Sequence, residues 1–136
     1  MNREALIAEL KRDEGVVLLP YQCSAGFLTL GCGRNIEQRG ITDEESDFLL
    51  SNDIDLCITE LKDAFPWFKN LTDARQRVMI NMCFNLGLSR LMGFKKFLAA
   101  MEVADWEEAG VQMLDSKWSR QVGPRSTRLR DLLLEG

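Results

Sequence analysis

The 136-residue chain contains no histidine. This absence excludes Ser-His-Asp and Cys-His catalysis and removes the commonest protein ligand of metal ions. The four cysteines form no CxxC pair and show no zinc-binding spacing. We therefore expect no metal and no other cofactor. Without histidine, a carboxylic acid becomes the natural proton donor near neutral pH.

Excess basic charge and long apolar runs are also lacking. The net charge of −4 argues against general nucleic-acid binding. We see no signal peptide and no apolar segment of membrane-spanning length, so we expect cytoplasmic synthesis, reduced cysteines and no stable membrane insertion. Acidic residues dominate from Glu37 to Asp63, and basic residues dominate from Lys117 to Arg130. One interpretation is that both runs are solvent-exposed helix faces. The alternative is that the basic run lines a site that binds an anionic polymer.

The apolar periodicity predicts an α+β fold that is mostly helical, with one small β-segment near the N-terminus. A helix capped by Asn2 is predicted from Arg3 to Asp13. The glycine-rich segment from Val16 to Asn35 predicts a short hairpin or small sheet. Further helices are predicted from Thr42 to about Ala64, from Thr72 to Leu86, from about Gly93 to Met101, from Asp105, and from Pro124.

We expect these elements to form a single domain over residues 1–136, built from two lobes. A small β-containing lobe and a connector helix would span about residues 14–60. Residues 61–136 together with 1–13 would form the helical lobe. The helix from Thr42 has a thin apolar stripe, which suits a connector, whereas the helix from Thr72 is apolar nearly all round and is predicted as the central core helix.

Glu14 lies at the end of the first predicted helix, directly before the glycine-rich segment. By itself, a carboxylate at such a position is usually an ordinary surface group. The turns of the following segment, however, are expected to bring Glu14, the thiol of Cys23 and the hydroxyl of Thr29 to the mouth of one hairpin. These three residues are our candidate catalytic groups.

The spacing of these residues resembles the phage lysozymes of glycoside hydrolase family 24. That family has a catalytic Glu, eight residues, an Asp or sometimes Cys, five residues and a Thr, which Glu14, Cys23 and Thr29 match without a gap. The resemblance covers nearly the whole chain. Arg34 stands where many members have His. The segment from Arg34 to Thr72 looks shorter than the corresponding segment of the enzyme that typifies the family, which predicts a smaller β-lobe. Further matching features are Gly26, Gly31, Gly33, Ile80 to Gly87, Gly93-Phe94, Trp106 to Ala109, Lys117-Trp118, Arg125 and Arg128.

The resemblance implies a lysozyme-like two-lobed fold and an endolysin muramidase. Such an enzyme hydrolyses the β-1,4 bond between N-acetylmuramic acid and N-acetylglucosamine in peptidoglycan and thereby lyses the cell. Glu14 would protonate the leaving oxygen, which requires burial to keep its proton. The resemblance makes Arg125 the charge partner of Glu14, and its positive charge would favour the ionised carboxylate instead. The sequence leaves open whether burial or Arg125 has the larger effect on Glu14.

The roles of Cys23 and Thr29 also stay open. Most family members have Asp at the position of Cys23, so the thiol is a base, a nucleophile or a space-filling residue. Inverting and retaining outcomes are therefore both possible. Thr29 either orients a water molecule or is an ordinary β-branched strand residue.

Phe84, Asn85 and Arg125 are candidate substrate-binding residues. The amide of Asn85 can hydrogen-bond sugar hydroxyl or N-acetyl groups. For Phe84 the stronger interpretation is core packing. We also expect Trp118 to pack on a helix face and Leu19 to lie in the core.

Two alternative functions remain. A lytic transglycosylase needs only the Glu and forms an anhydro sugar, and a catalytically weak lysozyme-like protein would bind the wall or serve a structural purpose. The expected partner is the glycan strand of peptidoglycan, and the expected state is a monomer. The resemblance further implies an endolysin that leaves the host cytoplasm through a holin pore, while a tail-associated lysozyme also fits.

Overall fold

The computed structural model describes residues 1–136 and confirms a mostly helical α+β chain with one small sheet. Its strands are β1 (Val17–Gln22), β2 (Leu28–Gly31) and β3 (Arg34–Asn35), and a 3-10 turn spans Phe68–Asn70. The helices are α1 (Arg3–Glu14), α2 (Ile36–Arg39), α3 (Asp43–Ala64), α4 (Asp73–Leu86), α5 (Leu88–Met92), α6 (Lys95–Glu102), α7 (Trp106–Leu114), α8 (Lys117–Val122) and α9 (Pro124–Glu135).

The contacts within the chain divide it into two compact units, Met1–Phe48 and Leu49–Gly136. The boundary falls inside α3. These units differ from the predicted lobes, which end near residue 60 and group residues 1–13 with the helical part. The division into functional lobes therefore stays a prediction.

The first unit begins with α1, as predicted. The Asn2 side chain accepts a hydrogen bond from the Ala5 amide at 3.0 Å, which caps the helix. The helix ends at Glu14, and the next residue, Gly15, has a φ of 74° that is favourable only for glycine. Three antiparallel strands follow in the order β1-β2-β3, so the prediction of a small sheet is confirmed.

The start of α3 is fixed by the predicted capping box. The Thr42 amide donates to Glu45 Oε1 at 2.9 Å, and the Glu45 amide donates to Thr42 Oγ1 at 3.1 Å. The Arg34 guanidinium also binds the Glu45 carboxylate. Together, the Arg34 contact and the Thr42 amide lower the pKa of Glu45 to about 2. This ion pair connects β3 to the first turn of α3.

The hydrophobic core lies in the second unit. Val78, Met79, Met82 and Cys83 of α4 are buried, which confirms α4 as a core helix. Trp118 is also buried, as expected. The predicted core position of Leu19 is wrong, because 76% of this residue is exposed. Leu19 belongs to β1, an edge strand of a sheet too small to bury its outer side chains.

Candidate active site

Glu14 is the last residue of α1, and its carboxyl group lies against Gly33 in the turn between β2 and β3. A Cβ atom added to Gly33 would lie only 3.1 Å from Glu14 Oε2. Gly33 also has a φ of +69°, so both its backbone conformation and its contact with the carboxyl group favour glycine. The sheet therefore supplies one wall for the Glu14 carboxyl group.

A cavity of about 330 Å³ adjoins this contact. The side chains of Ile7, Leu10 and Lys11 line it on the α1 side, together with Glu14. Cys32 lines it from the sheet and donates its S–H group to the Leu10 carbonyl at 3.5 Å. Glu14 itself is exposed, in contrast to the expected burial. The carboxyl group is therefore open to a ligand.

Cys23 follows β1 and begins the turn into β2. Its amide donates to the Phe27 carbonyl at 3.0 Å, and its carbonyl accepts from the Gly26 amide at 2.8 Å. Backbone hydrogen bonds from Phe27 and Ala25 lower the pKa of the Cys23 thiol, and the Thr29 hydroxyl adds to this effect. Hydrogen bonds to a sulfur atom favour its charged form, so this turn stabilises a thiolate.

Thr29 lies beside Cys23 and is the one buried residue of the first unit, with 3% of its surface exposed. Its hydroxyl donates to the Phe27 carbonyl at 2.9 Å. A hydroxyl carries one proton, so this proton points either to the Phe27 carbonyl or to the Cys23 sulfur. In the first case the oxygen lone pairs remain free to accept a hydrogen bond. The structure thus brings Cys23 and Thr29 together, as predicted.

A groove of about 500 Å³ in the second unit contains Phe84 and Arg125. The Arg125 guanidinium donates twice to Asn81 Oδ1, at 2.9 and 2.7 Å, so its planar end is held in place. Phe84 is 46% exposed, and the interpretation that it packs in the core is wrong. It lies on the face of α4 that borders the groove, four residues after Ile80, which also lines it.

Asn81 was missed by sequence reasoning, although it left a signal. It is a polar residue within the most apolar stretch of α4, where an unpaired amide would be costly. Asn85, the predicted binding residue, does not line this groove. Its Oδ1 accepts a hydrogen bond from Trp118 Nε1 at 2.8 Å, which holds the amide in place and leaves its NH₂ group and one oxygen lone pair for a ligand.

The predicted pairing of Arg125 with Glu14 stays a prediction. The two residues belong to different compact units, and the partner of Arg125 within its own unit is Asn81. The chain contains no group of three His, Cys, Asp or Glu side chains that could hold a metal ion. No helix has both the length and the apolar character needed to cross a membrane.

A comparison with known protein families decides which family this fold and this site represent. The family described as phage lysozyme matches residues 11–132, which include Glu14, Cys23, Thr29 and Arg125. The chain belongs to the phage lysozyme family. The resemblance stated from the sequence is thereby confirmed.

Several curated proteins show the same relationship. A probable T4-type lysozyme of Dictyostelium discoideum is 28% identical, over 93% of this chain and 92% of that protein. The endolysin of Acyrthosiphon pisum secondary endosymbiont phage 1 is 32% identical, over 91% of this chain and 84% of its own. The pre-baseplate central spike protein Gp5 of Enterobacteria phage T4 is 26% identical, over 93% of this chain but 27% of its own length. Family membership supports lysozyme-type hydrolysis of the cell wall as the class of reaction.

Proposed function

We propose that this phage lysozyme family member is a muramidase with Glu14 as its general acid. It cleaves the β-1,4 bond between N-acetylmuramic acid and N-acetylglucosamine in peptidoglycan. The observation that carries the proposal is the Glu14 carboxyl group held against Gly33 at the end of a small sheet. In the same sheet, Cys23 at the end of β1 lies beside Thr29 of β2.

In the proposed reaction, the Glu14 carboxyl proton moves to the glycosidic oxygen as the bond to the anomeric carbon breaks. Protonation makes this oxygen a better leaving group while positive charge develops on the sugar ring. Glu14 borders Ile7 and Leu10, two apolar side chains of the 330 Å³ cavity. A glycan covering this cavity excludes water from the carboxyl group and thereby favours its neutral, proton-carrying form.

Cys23 and Thr29 complete the proposed reaction. The attacking water would give its oxygen to the anomeric carbon and its proton to the Cys23 thiolate. The Thr29 oxygen, which lies beside the sulfur, would accept a second hydrogen bond from this water and fix its orientation. This arrangement predicts inversion at the anomeric carbon, whereas direct attack by sulfur would give retention.

Phe84 and Arg125 are proposed to bind the glycan along their groove in the second unit. The exposed Phe84 ring offers an apolar face for a sugar ring, and the Arg125 guanidinium, fixed by Asn81, offers donors to oxygen atoms. Asn85, oriented by its hydrogen bond from Trp118, would contribute its NH₂ group and the remaining lone pair of its oxygen.

The proposed setting is a phage infection. We propose synthesis in the host cytoplasm, passage through a holin pore and action on peptidoglycan as a monomer. Size-exclusion chromatography with light scattering tests the monomer. Expression with and without a holin tests the release route, because lysis without holin would contradict it.

Product analysis of digested peptidoglycan tests the reaction itself. Mass spectrometry should detect fragments that end in reducing N-acetylmuramic acid. Fragments ending only in anhydromuramic acid would instead show a lytic transglycosylase. Binding without any fragment release would show a wall-binding protein. Proton NMR of the fresh products reads the anomeric configuration and thus distinguishes water attack from sulfur attack.

A further inference from the structure

The second unit contains another groove, of about 640 Å³, that the proposed reaction does not use. Its lining is strongly basic. We call it the cationic groove and define it by Arg90, Lys95, Lys96 and Lys117, with Asp115 as the single acidic residue. The four basic residues come from α5, the start of α6 and the start of α8.

The four cations of the groove do not stabilise the fold through ion pairs. The ion pairs in the chain involve Arg12, Arg34, Arg77 and Arg130, and none of them belongs to the groove. All four groove cations are exposed. Their clustering is not a consequence of a basic composition either, because the chain carries a net charge of −4. A concave surface with charges of one sign concentrates counter-ions.

We infer that the cationic groove binds a phosphodiester-linked polyanion of the bacterial wall, of the teichoic acid type. The inference rests on the proposed function in so far as the wall is the target. Arg90 can hold a phosphate oxygen pair with its planar guanidinium, and the lysines act as point charges. Several cations spread along one groove suit repeated anions on a chain, because a single anionic group would leave most of them unpaired.

The remaining lining supports a polymer that contains polyols or sugars. Phe94 contributes an aromatic ring, and Gln112 and Gln121 contribute amides that can hydrogen-bond hydroxyl groups. A concave groove can enclose a chain-shaped polymer, whereas the flat surface of a bilayer would not enter it. Binding there would keep the enzyme on the wall between successive cleavages.

The test measures binding and uses the Glu14→Gln protein, so that the wall is not digested. The probes are walls of a Gram-positive bacterium, either native or stripped of phosphodiester polymer with hydrofluoric acid. We expect at least tenfold tighter binding to native walls at low salt. The double variant Lys95→Gln/Lys96→Gln should lose most of this difference. It should also reduce the slope of log affinity against log salt concentration by roughly 0.7–0.9 per removed cation, as found for nucleic acids.

The matched control is Lys62→Gln/Lys69→Gln. It removes the same charge from exposed lysines of the same unit outside the groove and should bind like the parent protein. Equal binding to stripped walls would overturn the inference, since peptide stems or glycan would then hold the protein. An equal loss in the control pair would also overturn it, because net charge alone would explain binding.

A third probe, duplex DNA, tests selectivity. Binding to DNA as tight as to native walls would contradict a wall-polymer site. Failure of this inference is distinguishable from failure of the muramidase proposal, because the two have separate readouts. If the wild type releases reducing ends but binding does not depend on the groove, only the inference about the cationic groove is refuted. If binding depends on the groove but no reducing ends are released, only the muramidase proposal is refuted.

Discussion

At the scale of single residues, the same thiol group has opposite properties in two parts of the chain. Burial raises the pKa of Cys83 to about 12, and neighbouring Cys57 and Glu60 add to the effect. Burial likewise raises the pKa of Cys57. Backbone donors from Phe27 and Ala25 lower the pKa of Cys23. The environment thus favours a thiolate at Cys23 and a neutral, unreactive thiol at Cys57 and Cys83.

The first prediction concerns Cys23. Cys23→Ala should lower the rate of peptidoglycan hydrolysis at least about a hundredfold, the lower end of what a general base supplies. Cys23→Asp should keep much of the rate, because a carboxylate can accept the same proton. Release of reducing ends at saturating substrate measures both. Full activity of the alanine variant would show that the thiol only fills space.

Spacing predicted that two of the candidate residues are neighbours, whereas the catalytic roles of all three stay predictions. The eight residues between Glu14 and Cys23 and the five between Cys23 and Thr29 indicated a shared site, and the structure places Cys23 beside Thr29. The exposure of Phe84 could not be predicted, because α4 is apolar on several faces and periodicity does not show which face lacks a neighbour.

At the scale of elements, the turn between β2 and β3 lies against the carboxyl group of Glu14. Gly31→Ala and Gly33→Ala should destabilise the fold alike, by roughly 1–2 kcal/mol, because both glycines have positive φ angles, +71° and +69°. Only at Gly33 would the new methyl group press on the Glu14 carboxyl group, since nothing lies within 4 Å of a Cβ at Gly31.

Gly33→Ala should therefore also lower kcat, by about a hundredfold if the carboxyl group moves by about 1 Å. Gly31→Ala serves as the matched control and should keep kcat near the wild-type value at a temperature where both are folded. Equal kcat in the two variants would contradict the role assigned to the Gly33 contact.

The start of α3 makes a prediction about acid stability. The pKa of Glu45 is lowered from 4.5 to about 2 by Arg34 and Thr42. A lowered pKa stabilises the fold above pH 4.5, and this contribution disappears as the pH falls towards 2. Glu45→Gln keeps the cap but removes the charge, so it should destabilise the protein at pH 7 and match the wild type near pH 2.

Urea unfolding at both pH values measures this difference. Glu44→Gln is the control, because Glu44 lies in the same first turn of α3 but does not bind Arg34. A constant difference between wild type and Glu45→Gln across the whole pH range would show that the Arg34 contact contributes nothing through charge.

A cap residue or a proline predicted the start of four of the longer helices. The structure has Thr42, Thr72 and Asp105 as caps and Pro124 in the first turn of α9. The short helices α2, α5 and α8, of four, five and six residues, were not predicted, although the side chains of Asn35 and Ser116 cap α2 and α8. Elements of this length are too short to show an apolar period.

At the scale of the whole molecule, the two compact units differ in how much they bury. Every buried hydrophobic residue lies between Cys57 and Leu133, in the second unit, whereas the first unit buries only Thr29. This division could not be predicted from the sequence, because it depends on tertiary contacts. The sequence predicted two lobes with other bounds and a connector helix, whereas the boundary of the compact units falls within α3, so the predicted lobes stay a prediction.

Because local stability follows buried apolar contacts, the first unit should open at lower free energy than the second. Native-state hydrogen exchange should therefore show faster exchange for the amides of β1 and β2 than for those of α4. Equal protection of Tyr21, Thr29 and Met82 would contradict this expectation and would indicate a single cooperative unit.

The central claim is that Glu14 supplies the proton for glycosidic bond cleavage. Its most direct test is the rate at which purified peptidoglycan releases reducing ends with the wild type, Glu14→Gln and Glu9→Gln. Glu9 is the matched control, an exposed carboxylate on the same helix α1. We expect Glu14→Gln to lower this rate by about 10²–10⁴-fold, while Glu9→Gln retains the wild-type rate. An unchanged rate in Glu14→Gln would contradict it.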